Sequence, residues 1–154
     1  MVNKKKFLVI NGPNLNFLGK REPEIYGNLS LKEIQEYTEK KVSSFCKYVN
    51  IEWFQSNLEG EIVERIQRAS QENLNGLIIN PAAYSHTSVA ILDALKLIEY
   101  KVVEVHLSNT YNRESFRHTR LTAKSSDAII EGFGKEVYFL SVISQLTEED
   151  FLNV

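Results

Sequence analysis

The chain has a single cysteine, Cys46, so no internal disulfide can form, as suits a reducing compartment. An excess of charge is also missing. A net charge of −2 over 154 residues points away from nucleic acid and from a membrane surface as partners. No apolar run is long enough to span a bilayer. After Met1-Val2-Asn3-Lys4-Lys5-Lys6, the apolar stretch Phe7-Leu8-Val9-Ile10 stops at Asn11-Gly12-Pro13, too soon for the core of a signal peptide. A cytoplasmic location is therefore expected. There is no G-x-G-x-x-G after a strand and no G-x-x-x-x-G-K-[ST], which disfavours a dinucleotide or P-loop site. The three histidines, His86, His106 and His118, lack metal-ligand spacing and no cysteine joins them, so zinc is not expected. Repeats, low-complexity tracts and linkers are absent.

What is present is a balanced globular composition, 43% hydrophobic and 25% charged, in a length that suits one domain over residues 1–154. Phe7-Leu8-Val9-Ile10 reads as a buried parallel strand. Residues 14–29 show no clear period and carry Gly19, Pro23 and Gly27, a long loop of the kind that often serves function. A helix is predicted over residues 30 to about 49, from Leu31, Ile34, Thr38, Val42, Phe45 and Val49 at three-four spacing, opened by a Ser30–Glu33 capping box. Further strands are predicted over 51–56, 76–80, 101–107 and 128–130. Helices are predicted over 60–73 and 87–99, and from about Gly134 onward. The polar Glu52, Gln55 and Ser56 put the second strand at an edge.

Such alternation implies α/β architecture: a doubly wound, five-stranded parallel sheet with flavodoxin-like order 2-1-3-4-5 and right-handed connections. Ligands in such sheets bind beyond the C-terminal strand ends, at the switch point between strands 1 and 3. There the sequence places Asn11-Gly12-Pro13-Asn14-Leu15-Asn16, Asn80-Pro81-Ala82-Ala83-Tyr84-Ser85-His86-Thr87 and Glu104-Val105-His106-Leu107-Ser108-Asn109. Each is an ordinary set of turn residues taken singly. Two histidines and an asparagine cluster meeting at one point are less ordinary. Glu104 and His106, two apart on a strand, project from one face. One reading is a solvated strand end. The favoured one is a carboxylate that holds His106 in one tautomer and favours its protonated form.

These motifs, with Arg21-Glu22-Pro23-Glu24-Ile25-Tyr26-Gly27, Arg113-Glu114-Ser115-Phe116-Arg117-His118 and Gly132-Phe133-Gly134, resemble those of the type II 3-dehydroquinate dehydratases. The resemblance runs over essentially the whole chain. It implies a cofactor-free lyase that converts 3-dehydroquinate to 3-dehydroshikimate by anti elimination through an enolate. That reaction serves the shikimate pathway of aromatic amino-acid biosynthesis or quinate catabolism. It implies Tyr26 as base. A neutral phenol is no base, so nearby positive charge must ionise it, and Arg21, five residues earlier, is the expected supplier. It implies Asn14 as holder of a water at the developing oxyanion, and His106, supported by Glu104, as general acid. Asn80 and the backbone of Leu107 and Ser108 correspond to a carboxylate cradle, and His86 and Arg117 to contacts with ring hydroxyls. Arg113 is left between a site role and steadying the loop. No lysine is assigned to the site, so no imine with the substrate ketone is expected.

The family pattern also implies a homododecamer built as a tetramer of trimers, with Asp93 reaching a neighbouring subunit's site. Asp93 lies seven residues after His86, a spacing that would put both on one helix face. The predicted helix over 87–99 carries more apolar residues than one buried stripe needs, which independently calls for a partner. Two departures bear on loop geometry. Ala82 stands where the family commonly has glycine, and an alanine is strained if φ is positive there. The run Thr119-Arg120-Leu121-Thr122-Ala123 is also unlike the usual one. Other classes fare worse. A receiver-type module needs acidic residues at the ends of strands 1 and 3, where Asn11 and Asn80 stand. A flavin carrier would purify yellow. A pseudoenzyme would not need Tyr26, Arg21 and His106 intact.

Overall fold

The computed structural model describes residues 4–151; Met1–Asn3, the start of the charged segment before the first strand, lie outside it. Five strands, β1 (Lys5–Asn11), β2 (Val49–Gln55), β3 (Gly76–Asn80), β4 (Val102–His106) and β5 (Ala128–Glu131), form one sheet in the order β2-β1-β3-β4-β5. Every pairing is parallel. The order is the expected one, and β2 is an edge with a half-exposed pattern, as its polarity required.

The helices are α1 (Pro23–Tyr26), α2 (Leu31–Ser43), α3 (Glu59–Ala69), α4 (Val89–Leu95), α5 (Glu136–Ile143) and α6 (Glu148–Phe151). One face of the sheet packs Phe7, Val9, Ile78, Val103 and Val105 against α2 and α5. The other packs Leu8, Ile10, Leu77 and Ile79 against Ile62 and Ile66 of α3 and Ile91 and Leu95 of α4. Because side chains alternate along a strand, each central strand must be apolar on both faces.

The Ser30–Glu33 capping box is present, with the Glu33 amide donating to Ser30 Oγ at 3.2 Å and the Ser30 amide to Glu33 Oε2 at 2.8 Å. The helix it opens ends at Ser43, not near residue 49. The hydroxyls of Ser43 and Ser44 bond back to the carbonyls of Lys40 and Lys41, and parallel pairing with Lys5 claims Val49 for β2. The expected helices over 60–73 and 87–99 are likewise shorter, Glu59–Ala69 and Val89–Leu95. His86 does not share a helix with Asp93. It lies in a 3₁₀ turn, Ala82–His86, and Ser88 Oγ then accepts from the Ile91 amide to start α4 afresh. The long loop carries a 3₁₀ turn (Leu15–Phe17) and α1.

Candidate active site

The loops after β1, β3 and β4 converge because their strands are adjacent at the centre of the sheet and end together. Gly12 permits the closest approach. Its amide donates to the Asn80 carbonyl at 2.8 Å, and a Cβ there would lie 2.4 Å from the Pro81 carbonyl oxygen. Beyond these ends lies a cleft of about 160 Å³. That is small beside the roughly 300–1,000 Å³ of a drug-sized pocket. Asn14, Arg21, Tyr26, Asn80, His86, His106, Leu107, Ser108 and Arg117, all expected at the site, line it. Arg113 and Thr110 line it too, and Lys20 is not among the lining residues.

Glu104 and His106 are both buried at the end of β4, which removes the reading of a solvated strand end. His106 Nε2 donates to Glu104 Oε1 at 2.7 Å, and the Thr122 hydroxyl donates to Glu104 Oε2 at 2.6 Å. A buried carboxylate is costly without such partners. With Nε2 committed to Glu104, Nδ1 is the imidazole nitrogen left for chemistry. His86 shows the same logic with a neutral acceptor. Its Nδ1 donates to the Thr119 carbonyl at 2.7 Å, so that nitrogen carries the proton and Nε2 is left to accept. Burial, partly offset by that hydrogen bond, holds His86 below the usual imidazole range, so it is neutral at pH 7.

Arg113 Nη1 donates to the Tyr26 hydroxyl at 2.7 Å. Arg21, the expected supplier of positive charge, lies over the face of the Tyr26 ring, 4.7 Å from its centroid, and pairs with Glu22 at 3.2 Å. Both cations therefore flank the phenol, but the direct bond comes from Arg113. Arg117 Nε is held by Glu114 at 2.7 Å. Asn80 donates from Nδ2 to the Tyr138 hydroxyl at 3.1 Å and accepts at Oδ1 from the Ala82 amide at 3.2 Å. Ala82 has φ 51, inside the left-handed region, so the strain expected of an alanine at this position is present.

Asp93 is exposed, pairs with Lys96 at 2.7 Å and does not line this chain's own cleft. Sequence reasoning missed Thr122, Thr110 and Tyr138. It also missed the Arg120–Glu131 ion pair, at 2.7 Å, in which Glu131 accepts from the Thr110 hydroxyl at 2.9 Å. Thr122 and Arg120 fall in the unusual 119–123 run, which was the one available signal. Among the described residues, no group of three or more His, Cys, Asp or Glu side chains is placed to hold a metal ion.

The chain is similar to known proteins in sequence and in fold. The family described as Dehydroquinase class II matches residues 5–146. The chain is 54% identical over 134 residues to a 3-dehydroquinate dehydratase of Bartonella henselae, covering 87% of this chain and 88% of that protein. It is 51% identical over 135 residues to one from Clostridium botulinum (strain Loch Maree), covering 88% and 90%. The crystal structure of the type II dehydroquinase from Butyrivibrio crossotus superposes with a TM-score of 0.88 at 42% identity, covering 92% of this chain and 97% of that one. Whole-length similarity at this level, in sequence and in fold, leads to one conclusion: the chain belongs to the class II dehydroquinase family.

Proposed function

We propose that the protein dehydrates 3-dehydroquinate to 3-dehydroshikimate. The observation that carries this reading is a phenol between two guanidinium groups facing, across one small cleft, a carboxylate-supported histidine. Tyr26, as phenolate, takes the proton alpha to the ketone. The C–H electron pair becomes an enolate, whose oxygen is met by a water that Asn14 holds. Enolate collapse then breaks the C–O bond, and His106, protonated on both nitrogens, gives the Nδ1 proton to the departing hydroxyl, which leaves as water. Glu104 supports this by stabilising the imidazolium. Asn80 and the backbone of Leu107 and Ser108 receive the substrate carboxylate. His86 accepts from a ring hydroxyl at Nε2, and Arg117 contacts another.

The reaction needs no metal or organic cofactor, and none of the residues that line the cleft is a lysine that could form an imine. The substrate is a small molecule; neither nucleic acid nor a membrane is proposed as a partner. Among the described residues no helix is long and apolar enough to cross a membrane. A cytoplasmic enzyme folding as one domain over 1–154 fits these features. The assembly we propose is a homododecamer, a tetramer of trimers, with Asp93 completing a neighbouring subunit's site. Its support is the second apolar side of the α4 region, where Val89 and Leu97 are 55% and 51% exposed.

Absorbance of the conjugated enone after adding 3-dehydroquinate tests the reaction. Absence of that signal refutes it. Borohydride added with substrate should leave activity and mass unchanged. Sedimentation should give a particle far larger than 17.7 kDa, and a fully active monomer would refute the shared site.

A further inference from the structure

We propose that Tyr138, which does not line the cleft, is a positioning residue that locks the Asn80 amide so that one of its N–H groups faces the substrate carboxylate. The proposal rests on the carboxylate reading of Asn80 given above.

Tyr138 is fully buried in α5, in the core between that helix and the sheet, with its ring against Trp53 at 5.4 Å between centroids. A hydroxyl there needs partners. It donates to Asn11 Oδ1 at 2.6 Å and accepts from Asn80 Nδ2 at 3.1 Å. Burial also pushes its pKa well above the ordinary phenol range, so the group remains a neutral donor.

A carboxamide has one oxygen acceptor and two N–H donors on the other end. For Asn80 the orientation is decided twice. The Ala82 backbone N–H can only donate, so the atom facing it at 3.2 Å must be Oδ1. The Tyr138 hydrogen is committed to Asn11, so the atom facing Tyr138 must be a donor, Nδ2. Flipping the amide would set N–H against N–H at Ala82. One Nδ2 hydrogen is thus spent on Tyr138, and the second remains for the cleft that Asn80 lines. The carboxylate therefore meets a donor already oriented before it arrives, with no rotamer entropy left to lose. Without the hydroxyl, Asn80 keeps only the Ala82 contact. It can then turn about its side-chain bonds, and carboxylate binding weakens. The reacting carbon atoms are served by Tyr26 and His106, so the loss falls on binding common to ground and transition states.

The test is steady-state kinetics and thermal melting of Tyr138→Phe, Asn80→Ala, the Tyr138→Phe/Asn80→Ala pair, and Tyr138→Phe/Asn11→Leu. Tyr138→Phe should raise KM roughly tenfold, the scale of a hydrogen bond to a charged group, with kcat within about twofold. It should also melt lower, because Asn11, whose Nδ2 is buried without a hydrogen-bond partner among the described residues, then loses its Oδ1 partner as well. Adding Asn11→Leu removes that stranded amide, so melting should recover while KM stays high. In the Asn80→Ala background Tyr138→Phe should raise KM no further. A KM that returns to normal together with the melting temperature, or that never changes, overturns the proposal. So does an additive effect on top of Asn80→Ala. An unmodified enzyme that fails to turn over 3-dehydroquinate overturns the dehydratase reading itself, and this proposal with it.

Discussion

Replacing Arg113 with Ala tests the electrostatics of the site most directly. Its Nη1 lies 2.7 Å from the Tyr26 hydroxyl, and its side chain is 12% exposed. Arg21 is 32% exposed, meets the ring face rather than the oxygen, and pairs with Glu22 at 3.2 Å, closer than the 3.8 Å between Arg113 and Glu114. A hydrogen bond to a charged group is worth about 1.5–3 kcal/mol net. Unit charges about 4 Å apart, at the effective dielectric of a partly wet site, interact by about 4 kcal/mol. Removing Arg113 should therefore cost about 2–4 kcal/mol of transition-state stabilisation, a fall in kcat of roughly 30- to 1,000-fold. Arg21→Ala should cost about 1–2 kcal/mol, the scale of a cation over an aromatic face. KM should change less than kcat in both, since the charge is needed in the reacting state. Arg113→Lys keeps a cation without the planar fork and should fall between. The assay is enone absorbance, with Tyr26→Phe, expected to be nearly inactive, as the floor. If Arg21→Ala is the slower variant, the roles of the two arginines have been reversed. Near-normal turnover by Tyr26→Phe would show that the base is another group.

Three further outcomes follow from single contacts. Ala82→Gly relieves a left-handed alanine worth about 1–2 kcal/mol and pays about 0.5–1 kcal/mol in chain entropy. Melting should rise by roughly 1–3 °C for a chain of this size, and a fall in the melting temperature would contradict the assigned φ. Thr122→Val removes the hydroxyl that donates to Glu104 at 2.6 Å. Calorimetry should show a loss of about 1–3 kcal/mol, and kinetics a drop in kcat; unchanged rate and stability would free Glu104 of that dependence. Burial disfavours ionisation of Glu131, but the bonds from Arg120 and Thr110 outweigh it and hold the carboxyl below its usual value of 4.5. Its contribution to stability is therefore present above pH 4.5 and lost as pH falls through the lower folded value. Glu131→Gln should melt below the unmodified protein at pH 7, with the gap narrowing as pH falls below 4.5, whereas a gap that stays constant would refute the linkage.

The amino-acid sequence by itself determined the strand order, the edge position of β2 and the loops at which a site would form. These follow from local signals: apolar runs of two-sided strands, three-four spacing, and a capping box that stands as written. It marked Ala82 as strained only if φ were positive there, and the structure supplied that φ. It did not determine where helices stop, because pairing between distant strands, such as Lys5 with Val49, overrides the helical period. Nor did it choose partners. Arg113 lies 87 residues from Tyr26 and Tyr138 lies 58 from Asn80, so only the converging strand ends bring each pair together. Arg21, near in sequence, is carried by the same short segment as Tyr26 and takes the ring face; Arg113, from the far loop, reaches the oxygen. Thr122 is one threonine among several until the fold sets it against a buried carboxylate. Periodicity reports which side of an element is dry, and that property belongs to each segment. Which polar group meets which inside that dry space depends on the closure of the whole chain, and there the tertiary structure alone decided.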